Sequence, residues 1–292
     1  MEWFIIAFSS ALFSAASAIS QKKILFKMNA FHFAFLNSIF NLLFTIPFIF
    51  ILEPSIITSN GLLILFGKSL LGAAAFYYVM LSIKNLELSK ALPLLVLTPG
   101  LVALFAFLFL GESLSRNQLI GMGLLLLGTY ILEMQNKNDF YEPFQVFIKS
   151  KNYRHIVAAL LLFTITSLLD KYIVKDLHFS PKTFLVFQQL FTAIIFIVVS
   201  FFIKEGPIGL FRKTENDWWK WIIIVAVLTV GYRYTQIEAI KIAPAVALVL
   251  AVKRISVFFA ALIGGKLFNE SKLIQKAIAA AIMIVGTFFI VG

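Results

Sequence analysis

Apolar residues fall along this chain in long unbroken blocks. They do not show the period-two alternation of a half-buried strand or the one-sided stripe of a soluble helix. The blocks cover approximately 3–20, 31–51, 61–82, 91–110, 117–134, 153–174, 182–203, 219–240, 244–264 and 273–291. Each approaches the roughly 20 residues that a helix needs to cross a bilayer. The polar gaps between them are short, and the least distinct lie at 83–90 and 241–244. The pattern predicts an all-α membrane protein of ten transmembrane helices.

Polar punctuation supports that division. The longest polar stretch, from Glu133 to Arg154, splits the ten blocks five and five. It divides the chain into a first unit (1–135), a linker (136–152) and a second unit (153–292). Ser115-Arg116-Asn117-Gln118 has the form of a capping box opening the fifth span. Pro181 and Pro244 stand where the seventh and ninth spans begin, where a missing N–H costs little. Pro93 and Pro99 lie inside the fourth block and are expected to bend it. Trp218-Trp219 suits an interfacial aromatic belt.

Composition agrees and narrows the class. Apolar residues make up 61% of the chain and charged ones 13%, with a mean hydropathy of +0.95. A soluble domain is closer to half apolar and a quarter charged, so lipid must solvate much of this surface. The net charge of +11 does not point to nucleic acid, because the basic residues occupy short gaps beside apolar runs and read as juxtamembrane charge. With no cysteine, thiol catalysis, disulfides and thiolate metal sites are excluded. The start Met1-Glu2-Trp3 lacks a basic n-region, so the first block reads as a span and not as a cleaved signal.

The two units resemble each other. Leu110-Gly111-Glu112-Ser113 and Phe268-Asn269-Glu270-Ser271 align at an offset of 158, and so do Gly128-Thr129 and Gly286-Thr287. Tyr78 meets Tyr234 at 156, and Gln21-Lys22 meets Asp170-Lys171 at 149. A five-helix unit repeated in tandem must insert its second copy upside down. The expected architecture is therefore two inverted five-helix repeats, with a substrate site at their interface.

At this point the chain resembles the EamA-type members of the drug/metabolite transporter superfamily, over nearly its whole length. The best part is Ala91, Pro93, Pro99, Gly111-Glu112, Gln118, Gly121 and Gly128, which fall in that family's usual order. The second copy has Asn269-Glu270 and Lys276 instead of Gly-Glu and Gln, and no proline matching Pro99. The resemblance implies a central cavity lined mainly by spans 1, 3, 4, 6, 8 and 9, and alternating access for small organic solutes. It also implies cytoplasmic termini in a bacterial plasma membrane. The distribution of Lys and Arg, concentrated in the first, third, fifth, seventh and ninth gaps, gives the opposite orientation.

Intramembrane charge marks the candidate site. Lys253-Arg254 falls near the middle of the ninth block. A cation there costs at least ~2.5 kcal/mol on the most lenient scale. Such a pair must face a wet cavity, a carboxylate or broken helix carbonyls. Arg233 is a third deep cation, and Asp170 and Glu238 are the available partners. The excess is positive, which favours an anionic or zwitterionic small molecule. Candidate binding residues are Lys253, Arg254 and Arg233, with Tyr77, Tyr78, Tyr234, Gln188, Gln236 and Asn37 at cavity depth. The ordinary alternative for the uncharged members is interhelical packing. Lys22, Lys171, Lys68 and Glu87 read as headgroup-zone charges, and Glu112 and Glu270 as helix caps.

No cofactor or metal motif is present. His32, His155 and His178 form no metal-binding spacing, which argues against an intramembrane enzyme. A flippase of a phosphate-bearing lipid or lipid-linked group is the alternative within transport, and a receptor ranks last. Spans 5 and 10 carry few polar side chains, which suits a peripheral or homodimer-facing position. The expected surroundings are the lipid bilayer and a small-molecule substrate, without nucleic acid.

Overall fold

A computed structural model describes residues 1–25, 28–52, 57–85, 96–133, 153–212, 216–259, 263 and 273–291. The linker read at 136–152, Pro93 and Asn269-Glu270 lie outside the described residues. The described elements are all helical: α1 (Glu2–Leu25), α2 (Ala30–Ile49), α3 (Ser59–Asn85), α4 (Thr98–Leu110), α5 (Arg116–Glu133), α6 (Tyr153–Lys175), α7 (Pro181–Ser200), the short α8 (Gly206–Arg212), α9 (Asn216–Ile242), α10 (Val246–Lys253) and α11 (Leu273–Val291). Six of them, α1, α2, α3, α6, α7 and α9, are long and apolar enough to cross a membrane. Thr98–Leu110 and Ala277–Ile290 are shorter apolar helices.

Local chemistry accounts for the ends. The capping box forms: Ser115 N–H donates to Gln118 Oε1 at 3.0 Å, and Gln118 N–H donates to Ser115 Oγ at 3.2 Å. At α7, Ser180 Oγ accepts from Thr183 N–H at 3.1 Å, and Pro181 follows in the first turn. Pro99 does not bend a helix as expected. It stands in the first turn of α4, where its missing N–H has no intrahelical partner to lose.

The helices pack in pairs. α1 runs along α9, α3 along α6, α2 along α7 and α5 along α11. The α1–α9 seam is made by small residues: Ser10 Oγ donates to the Tyr232 carbonyl at 2.8 Å, and Ser17 and Thr229 hydroxyls lie 3.4 Å apart. α5 and α11 approach more closely. A Cβ on Gly121 would lie 2.5 Å from the Gly286 carbonyl oxygen, and one on Gly128 would lie 2.9 Å from that of Ala279. Side chains facing away from this packing are apolar and exposed, as at Leu104, Phe107, Phe109, Phe202 and Phe288. They form a surface suited to lipid.

A break between α9 and α10 turns the chain sharply at Ala243-Pro244-Ala245. Breaking a helix leaves carbonyls on one side and N–H groups on the other without partners. Lys171 of α6 serves the first set, donating to Ile240 O at 2.9 Å and Ala243 O at 2.6 Å. Glu112, in the turn after α4, serves the second by accepting from Val246 N–H at 2.9 Å. Lys171 is therefore not a headgroup-zone lysine. It is 1% exposed and stands 3.6 Å from Glu112. The reading of Glu112 as a cap holds, although the helix it caps is α10 and not its own.

Candidate functional site

α6 presents Asp170 and Lys171 on faces about 100° apart. Lys171 turns to the α9–α10 break, and Asp170 turns inward to a cavity of about 520 Å³. The cavity is walled by α1, α2, α3, α6, α7, α9 and α10, with Thr98 of α4 at its edge. Phe33, Phe76, Phe163 and Phe196 give it apolar walls, and polar groups converge between them.

Charge is concentrated around Asp170, which is 3% exposed. Lys68 of α3 places its Nζ 2.8 Å from Asp170 Oδ1, a buried ion pair. Arg233 of α9 donates from Nη2 to Asp170 Oδ2 at 3.3 Å. The same guanidinium donates to Gln188 Oε1 at 2.9 Å and to Gln236 Oε1 at 3.2 Å. Gln236 Oε1 also accepts from Lys253 Nζ at 2.6 Å. Lys253 lies 4.5 Å above the Tyr232 ring, and Lys68 lies 4.9 Å above that of Phe184. Both contacts use the negative face of an aromatic ring to support a cation away from water.

Lys253 and Arg254 stand at a second helix end. α10 closes at Lys253, and Arg254 N–H bonds back to Ala251 O at 3.0 Å. Helix resumes at Ile255, so the interruption at Arg254 is a single residue. Of the options a deep cation pair has, Lys253 uses the cavity, where Gln236 accepts from its Nζ.

Asn37, Gln188, Arg233, Gln236, Lys253 and Arg254 line the cavity together. The tyrosines do not. Tyr77 is 53% exposed, Tyr78 stacks on His155 with ring centroids 5.7 Å apart, and the Tyr234 hydroxyl donates to Glu238 at 2.9 Å. A tyrosine has an apolar body and a polar tip, so depth along a span does not fix which face it takes. Lys68, read from the sequence as a headgroup-zone charge, is a cavity residue, and Tyr232 lines the cavity where Tyr234 does not. Lys68 lies well inside α3, and that interior position was the available signal. Among the described residues no cluster of His, Cys, Asp and Glu could hold a metal ion.

Spanning helices around a buried polar cavity define a helical membrane protein with an internal polar space. The chain belongs to the EamA-like transporter family, which matches residues 1–134 and 154–292. It is thereby a membrane transporter of the drug/metabolite transporter superfamily. A solved structure described only as the crystal structure of a protein superposes with a TM-score of 0.76 at 15% identity. The match covers 99% of this chain and 97% of the other, and the likeness concerns the fold alone. Among curated proteins none matches the sequence.

Proposed function

We propose that the protein is a secondary transporter of ten spans, arranged as two inverted five-helix repeats. It carries a small anionic or zwitterionic metabolite by alternating access at the interface between them. The observation that carries the substrate class is the cavity charge. Lys68, Arg233 and Lys253 face a space in which, among the described residues, Asp170 is the acidic group. A surplus of buried cations is costly in a membrane. An entering carboxylate or phosphate would relieve it, and a guanidinium fork suits either group. The carbonyl oxygens of Asn37 and Asn41 are buried on the cavity side of α2 without hydrogen-bond partners. They would take N–H or O–H groups of the same solute.

Helix pairing supports the repeat. Under an offset of 158, Gly121 corresponds to Ala279 and Gly128 to Gly286. The Gly121–Gly286 contact then exchanges with Ala279–Gly128, and both are close backbone approaches. Thr129 and Thr287, one residue on, each bond to the carbonyl four residues before, at 2.7 and 2.9 Å. The α1–α9 and α3–α6 pairs exchange under the same operation. The units 1–135 and 153–292 are the proposed repeats.

The test is thermal stabilisation of purified protein by carboxylated, phosphorylated, zwitterionic and cationic metabolites and by short-chain phospholipids. Lys253→Gln and Arg254→Gln are run alongside the unaltered chain. Stabilisation by water-soluble anions that either substitution removes is the expected result. Stabilisation by cations alone would overturn the reading, and stabilisation by phospholipid alone would replace it with lipid translocation.

A further inference from the structure

The helices around the cavity fall into two groups, and each group draws on both halves of the chain. In one, α9 packs on α1 and α2, and α10 packs on α1. In the other, α6 packs on α3 and α4, and α7 packs on α3. The groups meet where α2 runs along α7 and where α10 touches α4.

Antiparallel packing gives the cavity two ends. At one, α1, α3 and α7 finish and α2, α6 and α9 begin. Lys23 stands 4.0 Å above the Trp221 ring there, and the Phe31 and Phe196 rings lie 5.9 Å apart. The cavity lining runs toward this end through Gln21, Phe33, Phe76 and Phe196. At the opposite end, α4, α6 and α9 finish and α3 and α10 begin. Leu65, Ile173, Phe179, Ile237, Ile240 and Val246 belong to one core cluster there, and each is fully buried. The cavity is thus sealed at the end that carries the α9–α10 corner.

Lys171 of α6 and Glu112, just after α4, stand in one group, and the corner they hold stands in the other. Three hydrogen bonds cross the boundary. Lys171 donates to Ile240 O at 2.9 Å and to Ala243 O at 2.6 Å, and Val246 N–H donates to Glu112 Oε2 at 2.9 Å. A fourth contact does not cross it: Lys171 Nζ meets Glu112 Oε1 at 3.6 Å, beyond hydrogen-bond reach. Among the described residues, that buried oxygen has no hydrogen-bond partner. When the groups part here, water reaches the corner, and the freed ammonium closes on the unused oxygen. Neither charge is left alone in either state. We propose that Lys171 and Glu112 are the gate at this end of the transporter. They clasp the α9–α10 corner while the cavity faces the other end, and they pair with each other when the corner swings away. This inference rests on the alternating-access reading above.

The chain contains no cysteine, so a single introduced cysteine reports on each end. Ala243→Cys probes the sealed corner, where Ala243 is 4% exposed, and Ala73→Cys probes the cavity wall. The measurement is the rate of maleimide labelling of purified full-length protein, with Lys171 intact or replaced by Met. Lys171→Met takes two bonds to buried carbonyls from the clasped state. From the released state it takes only a hydrated ion pair, which is worth little. The expected result is labelling of Ala243→Cys about tenfold faster with Lys171→Met, and slower labelling of Ala73→Cys. Should Lys171→Met fail to fold, Lys171→Met/Glu112→Gln leaves no unpaired charge and should show the same opposed changes. Faster labelling at both positions overturns the gate, because a brace lost from the fold loosens both ends. Unchanged labelling at both overturns it too, and leaves alternating access standing. Faster labelling at Ala243→Cys with Ala73→Cys unchanged keeps the seal at Lys171 and overturns alternating access instead.

Discussion

Lys171 and Glu112 stand 3.6 Å apart, and each bonds to a different side of the same helix break. The ammonium takes the carbonyls that end α9, and the carboxylate takes the N–H that opens α10. The pair thus fixes the entry of α10, whose far end carries Lys253 into the cavity. Its role is to set where a cavity residue begins, at a distance from the solute.

Removing either partner should be severe. Lys171→Met leaves a buried carboxylate and bare carbonyls, and Glu112→Gln leaves a buried ammonium. Each is expected to cost about 3–5 kcal/mol, the usual penalty for breaking a buried pair. The double variant should lose less than the sum, since it leaves no uncompensated charge. Denaturation midpoints of the four proteins in one detergent would check this. Full additivity would mean that the two residues act separately.

Arg233→Lys should behave as a loss and not as a conservative change. The guanidinium reaches Asp170, Gln188 and Gln236 at once, a fork that a single ammonium cannot reproduce. Anion affinity is expected to fall at least about tenfold, or ~1.4 kcal/mol, with the protein still folded. The measurement is ligand-induced stabilisation across a concentration series. Affinity within twofold of the unaltered protein would remove Arg233 from the binding site.

α5 offers a matched pair of glycines. A Cβ at Gly128 would lie 2.5 Å from Met283 Cγ and 2.9 Å from the Ala279 carbonyl oxygen, whereas one at Gly123 meets nothing within 4 Å. Gly128→Val should cost about 1–3 kcal/mol or more through overpacking, and Gly123→Ala should stay within about 0.5 kcal/mol of the parent. Thermal melts decide the order. Equal stability of the two variants would mean that α5 and α11 do not meet at these glycines.

Much of this arrangement was legible in the chain, and the omissions have physical causes. Local signals are legible where the chemistry is local, as in the Ser115–Gln118 box and Pro181 at the start of α7. Lys253, Arg254 and Arg233 were legible as cavity groups because intramembrane charge has few other places to go. Lys68 and Lys171 were assigned to the headgroup zone because a lysine's tolerance for depth depends on its partner. Those partners, Asp170 and Glu112, come from helices far away in sequence. Pro99 was misplaced for a related reason: hydropathy runs through the start of α4 and cannot show where hydrogen bonding begins.

The α9–α10 break bears on salt requirements. Helix-end carbonyls shielded from water can be a resting place for a dissolved sodium ion. Here the ammonium of Lys171 occupies that position on a covalent tether, with Glu112 as its built-in counter-charge. This break should therefore keep its form when sodium is replaced by potassium or choline. A transporter assembled this way carries at this break the ion that others borrow from solution.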